Sequence, residues 1–161
     1  MNILEIAIEM EHDLEKYYYE QAEINKDNGL HVTFSLLAKE EENHVKILEK
    51  YQDKISFELK DEDMFEESRK VFGNLDNFKS EIKDLPNQLD SYRMALEKEK
   101  DSLVFYQKQK DDTKEPRLKE IFSYLVKQED RHTEVLEQLI QMLTNPEEWV
   151  ESAEFGVRKE Y

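Results

Sequence analysis

Glu41-Glu42-Asn43-His44 and, 88 residues further on, Glu129-Asp130-Arg131-His132 share one Glu-x-x-His spacing, and what surrounds them decides the fold. Slid against itself by those 88 residues, the chain matches over a long stretch. Ala7-Ile8-Glu9-Met10-Glu11 lies over Ala95-Leu96-Glu97-Lys98-Glu99, Tyr17-Tyr18 over Phe105-Tyr106, and Phe34-Ser35-Leu36-Leu37 over Phe122-Ser123-Tyr124-Leu125. Of the 49 gap-free pairs formed by positions 3 to 51, 16 are identical, where average compositions give about one in 15 to 20 by chance. The chain reads as two copies of one unit.

Within each copy, apolar residues recur at intervals of three and four in two stretches separated by a polar turn, the mark of a helical hairpin. The spacing predicts helices over Ile3–Ala22, Leu30–Tyr51, Leu89–Lys110 and Arg117–Leu143. Asn28-Gly29 supplies the first turn as an αL-tolerant break, and Glu115-Pro116 the second by restricting the residue before the proline and presetting the helix start. The expected organisation is one all-α bundle over residues 1–143: hairpin one 1–51, a linker 52–88, and hairpin two 89–143. A tail, 144–161, follows. Two hairpins packed back to back about a pseudo-twofold axis need one long crossover, which the linker can supply. It contains a short helical candidate, Met64–Phe72, although its acidic, Lys-rich composition also suits a disordered connection. In the tail, Trp149, Val150 and Phe155 after Pro146 suggest a short segment covering one end of the bundle, or a surface for a partner.

The composition agrees with long helices. Three Gly and three Pro in 161 residues are too few for the reversals of a sandwich or barrel. Hydrophobic residues at 38% and aromatics at 11% are enough for a core despite 39% charged residues. With 39 acidic against 23 basic side chains the net charge is −16, which repels nucleic-acid backbones and anionic membranes and draws in cations. No secretory leader and no long apolar span is evident, so a cytoplasmic protein is expected. The absence of cysteine excludes disulfides, thiolate metal sites and a catalytic thiol within this sequence.

Polar residues interrupt the apolar stripes at equivalent places. Glu11 falls on the stripe Ala7, Met10, Leu14, Tyr18, where a leucine would be expected. Glu41 and His44 stand on the face of Leu37, Val45 and Leu48. Glu99 stands among Tyr92, Ala95 and Tyr106, and Glu129 and His132 among Ile121, Phe122, Leu125 and Leu136. One such glutamate alone would be a stripe-edge residue reaching solvent, and one such histidine a hydrogen-bonded core residue. Four glutamates and two Glu-x-x-His pairs at matching positions form a set. Four unpaired carboxylates in one core would cost several kcal/mol each. Two divalent ions cancel their charge, and the two imidazoles add nitrogen donors without adding charge.

Oxygen-rich ligation with one imidazole per ion suits iron or manganese at a redox-active, non-haem site, and zinc could also bind without redox chemistry. The candidate metal ligands are Glu11, Glu41, His44, Glu99, Glu129 and His132. Tyr18 and Tyr106 stand seven residues after Glu11 and Glu99, two turns along the same faces, where a phenol can hydrogen-bond a ligating carboxylate or simply fill the core. His12 points about 100° away from Glu11 on a helix, and His31 opens the second helix; both read as surface residues.

Glu11-x6-Tyr18, Glu41-x2-His44, Glu99-x6-Tyr106 and Glu129-x2-His132, in that order on four helices, resemble the ferritin-like di-iron carboxylate family, and its rubrerythrin branch most closely. The resemblance implies a ferritin-like four-helix bundle holding two iron ions, bridged by Glu41 and Glu129. Glu11 and Glu99 would be terminal ligands, with His44 and His132 each on one ion. It also implies reduction of hydrogen peroxide or dioxygen at a diferrous centre, with ferrous oxidation as the related activity, and a homodimer. Peroxidases of that branch carry a further carboxylate one turn after the third-helix ligand, where this chain has Ser102. The ligand switch tied to that carboxylate is therefore not expected, and His44 would stay bound in both oxidation states. They also carry a four-cysteine rubredoxin domain, so here the electron donor would be external, such as a rubredoxin-type protein or a small molecule. The competing readings are an iron-handling ferroxidase, a dimanganese catalase-type protein, and a non-enzymatic metal-binding bundle.

Overall fold

The computed structural model describes residues 2–60 and 85–155. Among them are four helices and no strand: α1 (Ile3–Ile24), α2 (Leu30–Gln52), α3 (Leu85–Asp112) and α4 (Pro116–Phe155). The helices, the hairpins and their order are those expected from the periodicity, and the differences lie at element ends. The helical candidate Met64–Phe72 lies outside the described residues.

Asn2 caps α1, its side-chain oxygen accepting from the Glu5 amide at 2.9 Å while its Nδ2 donates to the Glu5 carboxylate, a variant of the reciprocal capping box. Asparagine side chains build the first turn. Asn25 Nδ2 donates to the Gln21 carbonyl, and Asn28 Oδ1 accepts from the Leu30 amide, both near 2.9 Å. Gly29 is right-handed there, with φ −62°, so the turn does not use the left-handed freedom expected of it. That conformation occurs instead at Lys54, with φ 58°. The Ile55 amide bonds to the Lys50 carbonyl and the Lys54 amide to that of Tyr51, the paired closure that ends a helix on a left-handed residue.

Two further ends differ from the periodicity reading. Helix α3 begins at Leu85 rather than Leu89, because Pro86 sits in the first turn, where a missing N–H costs nothing. Helix α4 runs past the expected end at Leu143 to Phe155, with Pro146 inside it. A proline inside a helix removes its own donor and crowds the carbonyl four residues back, which bends a helix without always ending it.

The hydrogen bonds between hairpins define how they meet. Tyr18 of α1 reaches Glu99 of α3, and Tyr106 of α3 reaches Glu11 of α1, so these two helices lie side by side and antiparallel. The same reasoning pairs α2 with α4, since His44 meets Gln128 and His132 meets Glu40. Consequently α2 and α3 run in the same direction, and the chain must travel back along roughly 30 Å of bundle between them. Residues 53 to 84 are the connection between the two helices. The described part of it, up to Lys60, is laid against α4: Arg117 donates to the Phe57 carbonyl at 2.7 Å and covers its ring, and the Tyr124 hydroxyl donates to the Lys60 carbonyl.

The buried side chains form two apolar clusters. One contains Leu14, Tyr18, Phe34, Leu37, Tyr92, Leu136 and Leu139; the other contains Ala7, Leu48, Tyr106, Ile121, Phe122 and Leu125. Along every helix the ligand-type residues fall between the two, as Glu11 falls between Ala7 and Leu14. The polar layer is thus closed above and below by hydrocarbon. No helix among the described residues is long and apolar enough to cross a membrane.

Candidate metal centre

Each helix contributes one carboxylate to the middle of the bundle because a single polar residue replaces a leucine in an otherwise apolar stripe. Glu11, Glu41, His44, Glu99 and Glu129 are fully buried and His132 is 1% exposed. The Glu-x-x-His pairs bring a second group from α2 and α4 one helical turn on, on the same face. All six residues proposed from the sequence meet here.

They form two overlapping sets. Glu11, Glu41, His44 and Glu129 offer ligand atoms within 4.8 Å of one another, and so do Glu41, Glu99, Glu129 and His132. Glu41 and Glu129 belong to both sets, one from each hairpin. His44 Nδ1 lies 3.2 Å from Glu129, 3.4 Å from Glu11 and 3.6 Å from Glu41. His132 Nδ1 lies 2.7 Å from Glu41, 3.0 Å from Glu99 and 3.8 Å from Glu129. The 88-residue offset of the sequence is therefore a pseudo-twofold axis through the centre.

The aromatic layer obeys the same symmetry. Tyr18 donates to Glu99 at 2.6 Å and stacks on Phe34; Tyr106 donates to Glu11 at 2.7 Å and stacks on Phe122. Burial and the adjoining carboxylates push both phenols well above their ordinary pKa, so they remain hydrogen-bond donors.

Electrostatics divide the six groups into three kinds. Burial raises the Glu11 pKa, but the His44 charge and the surrounding hydrogen bonds outweigh it and hold this carboxyl at about 2. Glu99 is likewise lowered against burial, by His132. Burial, followed by the charges of Glu11 and Glu99, lifts Glu41 well above the carboxylate range, and Glu129 is lifted for the same reasons. Both histidines rise well above theirs, since the carboxylates around them overcome desolvation. In the metal-free cluster these shifts favour carboxylates at Glu11 and Glu99, protons on Glu41 and Glu129, and imidazolium at both histidines, an arrangement in which the charges balance.

Neutrality does not satisfy every group. No hydrogen-bond partner is aligned with either oxygen of Glu41 or Glu129, or with Oε1 of Glu99. Five buried oxygens without a partner, beside two Nδ1 atoms that face them, are a donor set suited to cations. Fully deprotonated, its four negative charges match two divalent ions, and one nitrogen per ion among carboxylate oxygens suits iron or manganese.

The other two histidines stand elsewhere. His12 is exposed and pairs with Glu15 at 3.2 Å, and His31 is exposed, with Nδ1 2.9 Å from the Ala22 carbonyl, tying α2 to the end of α1. Two residues that the stripes did not single out do touch the centre. Glu40 Oε1 lies 2.5 Å from His132 Nε2, and Gln128 Oε1 lies 3.3 Å from His44 Nε2. They are counterparts at the 88-residue offset, each just before a ligand-type glutamate, and that position was the signal available in the sequence.

A protein-family model described as Rubrerythrin matches residues 2–140. No curated protein and no solved structure matches the chain.

Proposed function

From the premise that this chain belongs to the rubrerythrin family, a family of ferritin-like di-iron carboxylate proteins, we propose that it is a non-haem di-iron oxidoreductase that reduces hydrogen peroxide or dioxygen. The observation that carries the proposal is the pair of overlapping ligand sets sharing Glu41 and Glu129. These residues would hold two ferrous ions, whose chemistry would supply the two electrons that cleavage of a peroxide O–O bond requires.

The residues divide that work. Glu41 and Glu129 would bridge, Glu11 with His44 and Glu99 with His132 would hold one ion each, and the Nδ1 atoms already face the middle. Tyr106 and Tyr18 fix Glu11 and Glu99 through hydrogen bonds, which selects one carboxylate orientation on each side. Stacked layers at Tyr18 and Phe34, and at Tyr106 and Phe122, keep bulk water from both ends of the cluster. Ser102, buried one turn beyond Glu99, brings no carboxylate, so the ligand set stays at six. These 161 residues hold no cysteine and so no thiolate-bound iron to re-reduce the centre, and the proposed donor is a rubredoxin-type protein or a small molecule.

Anaerobic titration of the metal-free protein with ferrous iron, followed by peroxide or dioxygen, tests the reading. Two irons per chain and rapid growth of the near-ultraviolet oxo-bridged ferric absorption support it. Glu129→Ala should lose both metal binding and peroxide turnover. Unchanged peroxide turnover in that variant would overturn the assignment of the activity to this site, and two bound irons that peroxide and dioxygen leave ferrous would favour a non-enzymatic metal-binding bundle.

A further inference from the structure

The six ligand-type residues and the two tyrosines repeat almost perfectly about the pseudo-twofold axis, so nothing in the ligand set distinguishes one half of the centre from the other. The distinction arises one residue further out. His132 Nε2 meets the Glu40 carboxylate at 2.5 Å, whereas His44 Nε2 meets the Gln128 amide oxygen at 3.3 Å. These are the same position in the two copies, occupied by an acid in one and an amide in the other. Other differences flank the centre, such as Ser102 in place of Leu14 and Tyr124 in place of Leu36. None of those places a charge against a ligand imidazole.

An imidazole whose remote N–H is held by a carboxylate is a stronger donor at its other nitrogen than one held by an amide. Glu40 lies at the edge of a surface cavity of about 530 Å³, lined also by Lys39, Lys46 and Gln128. Its side chain is 13% exposed, unlike those of the buried cluster. Its contact with Nε2, on the far side of the ring from the cluster, makes it a positioning residue rather than a ligand.

We propose that Glu40 makes the two metal positions unequal, so that the first divalent ion enters the Glu99–His132 half and is held there more tightly than the second is in the Glu11–His44 half. This rests on the two-metal reading of the site. It gives the centre an order of filling and an electronic polarity that its ligand set lacks.

Cobalt(II) titration of the full chain under anaerobic conditions tests this, with affinities from calorimetry and the order of filling from the shifted imidazole resonances of ¹⁵N-histidine-labelled protein. The wild type should bind two ions about 10- to 100-fold apart in affinity, His132 resonances shifting first. Shared bridging carboxylates could separate the two steps on their own, and the variants remove that ambiguity. Glu40→Gln should weaken the first step and abolish the preference for His132. The exchanged pair Glu40→Gln with Gln128→Glu should restore two separated steps with His44 shifting first, an inversion that general loosening of the fold cannot produce. Simultaneous filling in the wild type, or an unchanged order in the exchanged pair, overturns the inference. Binding of fewer than two ions by the wild type overturns the two-metal reading itself, and stoichiometry separates that outcome from the others.

Discussion

The phenol of Tyr18 on α1 donates a 2.6 Å hydrogen bond to Oε2 of Glu99 on α3, across the bundle rather than along its own helix. Its counterpart Tyr106 crosses in the opposite sense to Glu11. Each hairpin therefore orients the carboxylate of the other, and neither half of the centre is complete in a single copy. Tyr18→Phe keeps the ring against Phe34 and leaves the carboxylate without this donor. A buried hydrogen bond to a charged group contributes about 1.5–3 kcal/mol. The metal-free variant should lose about that much stability in urea unfolding while keeping its helical circular dichroism. A loss below about 0.5 kcal/mol would mean that the bond is not held in solution.

Metal binding should release protons, because the metal-free cluster holds up to four that the loaded one cannot. Glu41 and Glu129 are raised and carry protons well above the usual carboxylate range; His44 and His132 are raised and stay imidazolium above their usual pKa. Glu11 and Glu99 are lowered and have none to give near neutrality. Lowering the pH fills the four raised groups further and competes with the metal, so affinity falls with acid and rises with base. Zinc titration at pH 6 in a pH-stat should release protons, at most four per two ions. Release of none would show that the cluster is already deprotonated.

Phe122 stacks on Tyr106 with ring centroids 6.0 Å apart and is 1% exposed in the lower apolar cluster. Phe122→Ala removes a large buried ring and leaves a cavity directly beneath the polar layer. Such truncations cost about 3–5 kcal/mol. Urea unfolding should show that loss in the metal-free protein, and a smaller one would indicate that the cluster collapses to refill the space.

Much of this was legible in the sequence because period and repeat act together. Residues at intervals of three and four define the buried face of each helix, and Glu11, Glu41, Glu99 and Glu129 interrupt that face in both copies. Their convergence follows once the four faces point inward. The tyrosine partners were not legible, since a seven-residue spacing places Tyr18 on the face of Glu11 but says nothing of which neighbouring helix lies opposite. Glu40 and Gln128 escaped for a related reason: they lie off the apolar stripes and reach the centre only across the α2–α4 contact. Turn chemistry misled at Gly29, where asparagine side chains close the turn, and gave no warning of Lys54, a left-handed position without a glycine. The apolar periodicity ended the fourth helix at Leu143, whereas α4 continues through Pro146 to Phe155.

Glu41 exposes the opposition between function and stability at the centre. In the metal-free protein it is a fully buried acid whose pKa burial lifts well above the carboxylate range, and no hydrogen-bond partner is well aligned with either oxygen, so it is a costly group to bury. A buried polar group with no well-aligned partner carries a desolvation cost of about 1–3 kcal/mol, which an apolar side chain of similar volume does not. Glu41→Leu should therefore leave the metal-free protein as stable as the wild type or more so, with Glu99 still beside His132 to balance its charge. The same change removes a residue common to both ligand sets, so metal binding should be lost. Wild-type protein in excess metal gains about 2.7 kcal/mol at a hundred times the dissociation constant, and a chelator removes that gain. Thermal unfolding of both proteins, with and without chelator, checks the argument in one experiment. The wild-type Tm should fall on chelation, that of Glu41→Leu should not move, and the variant should match or exceed the chelated wild type. A variant that unfolds well below the chelated wild type would show that Glu41 contributes to the fold through contacts other than a metal ion.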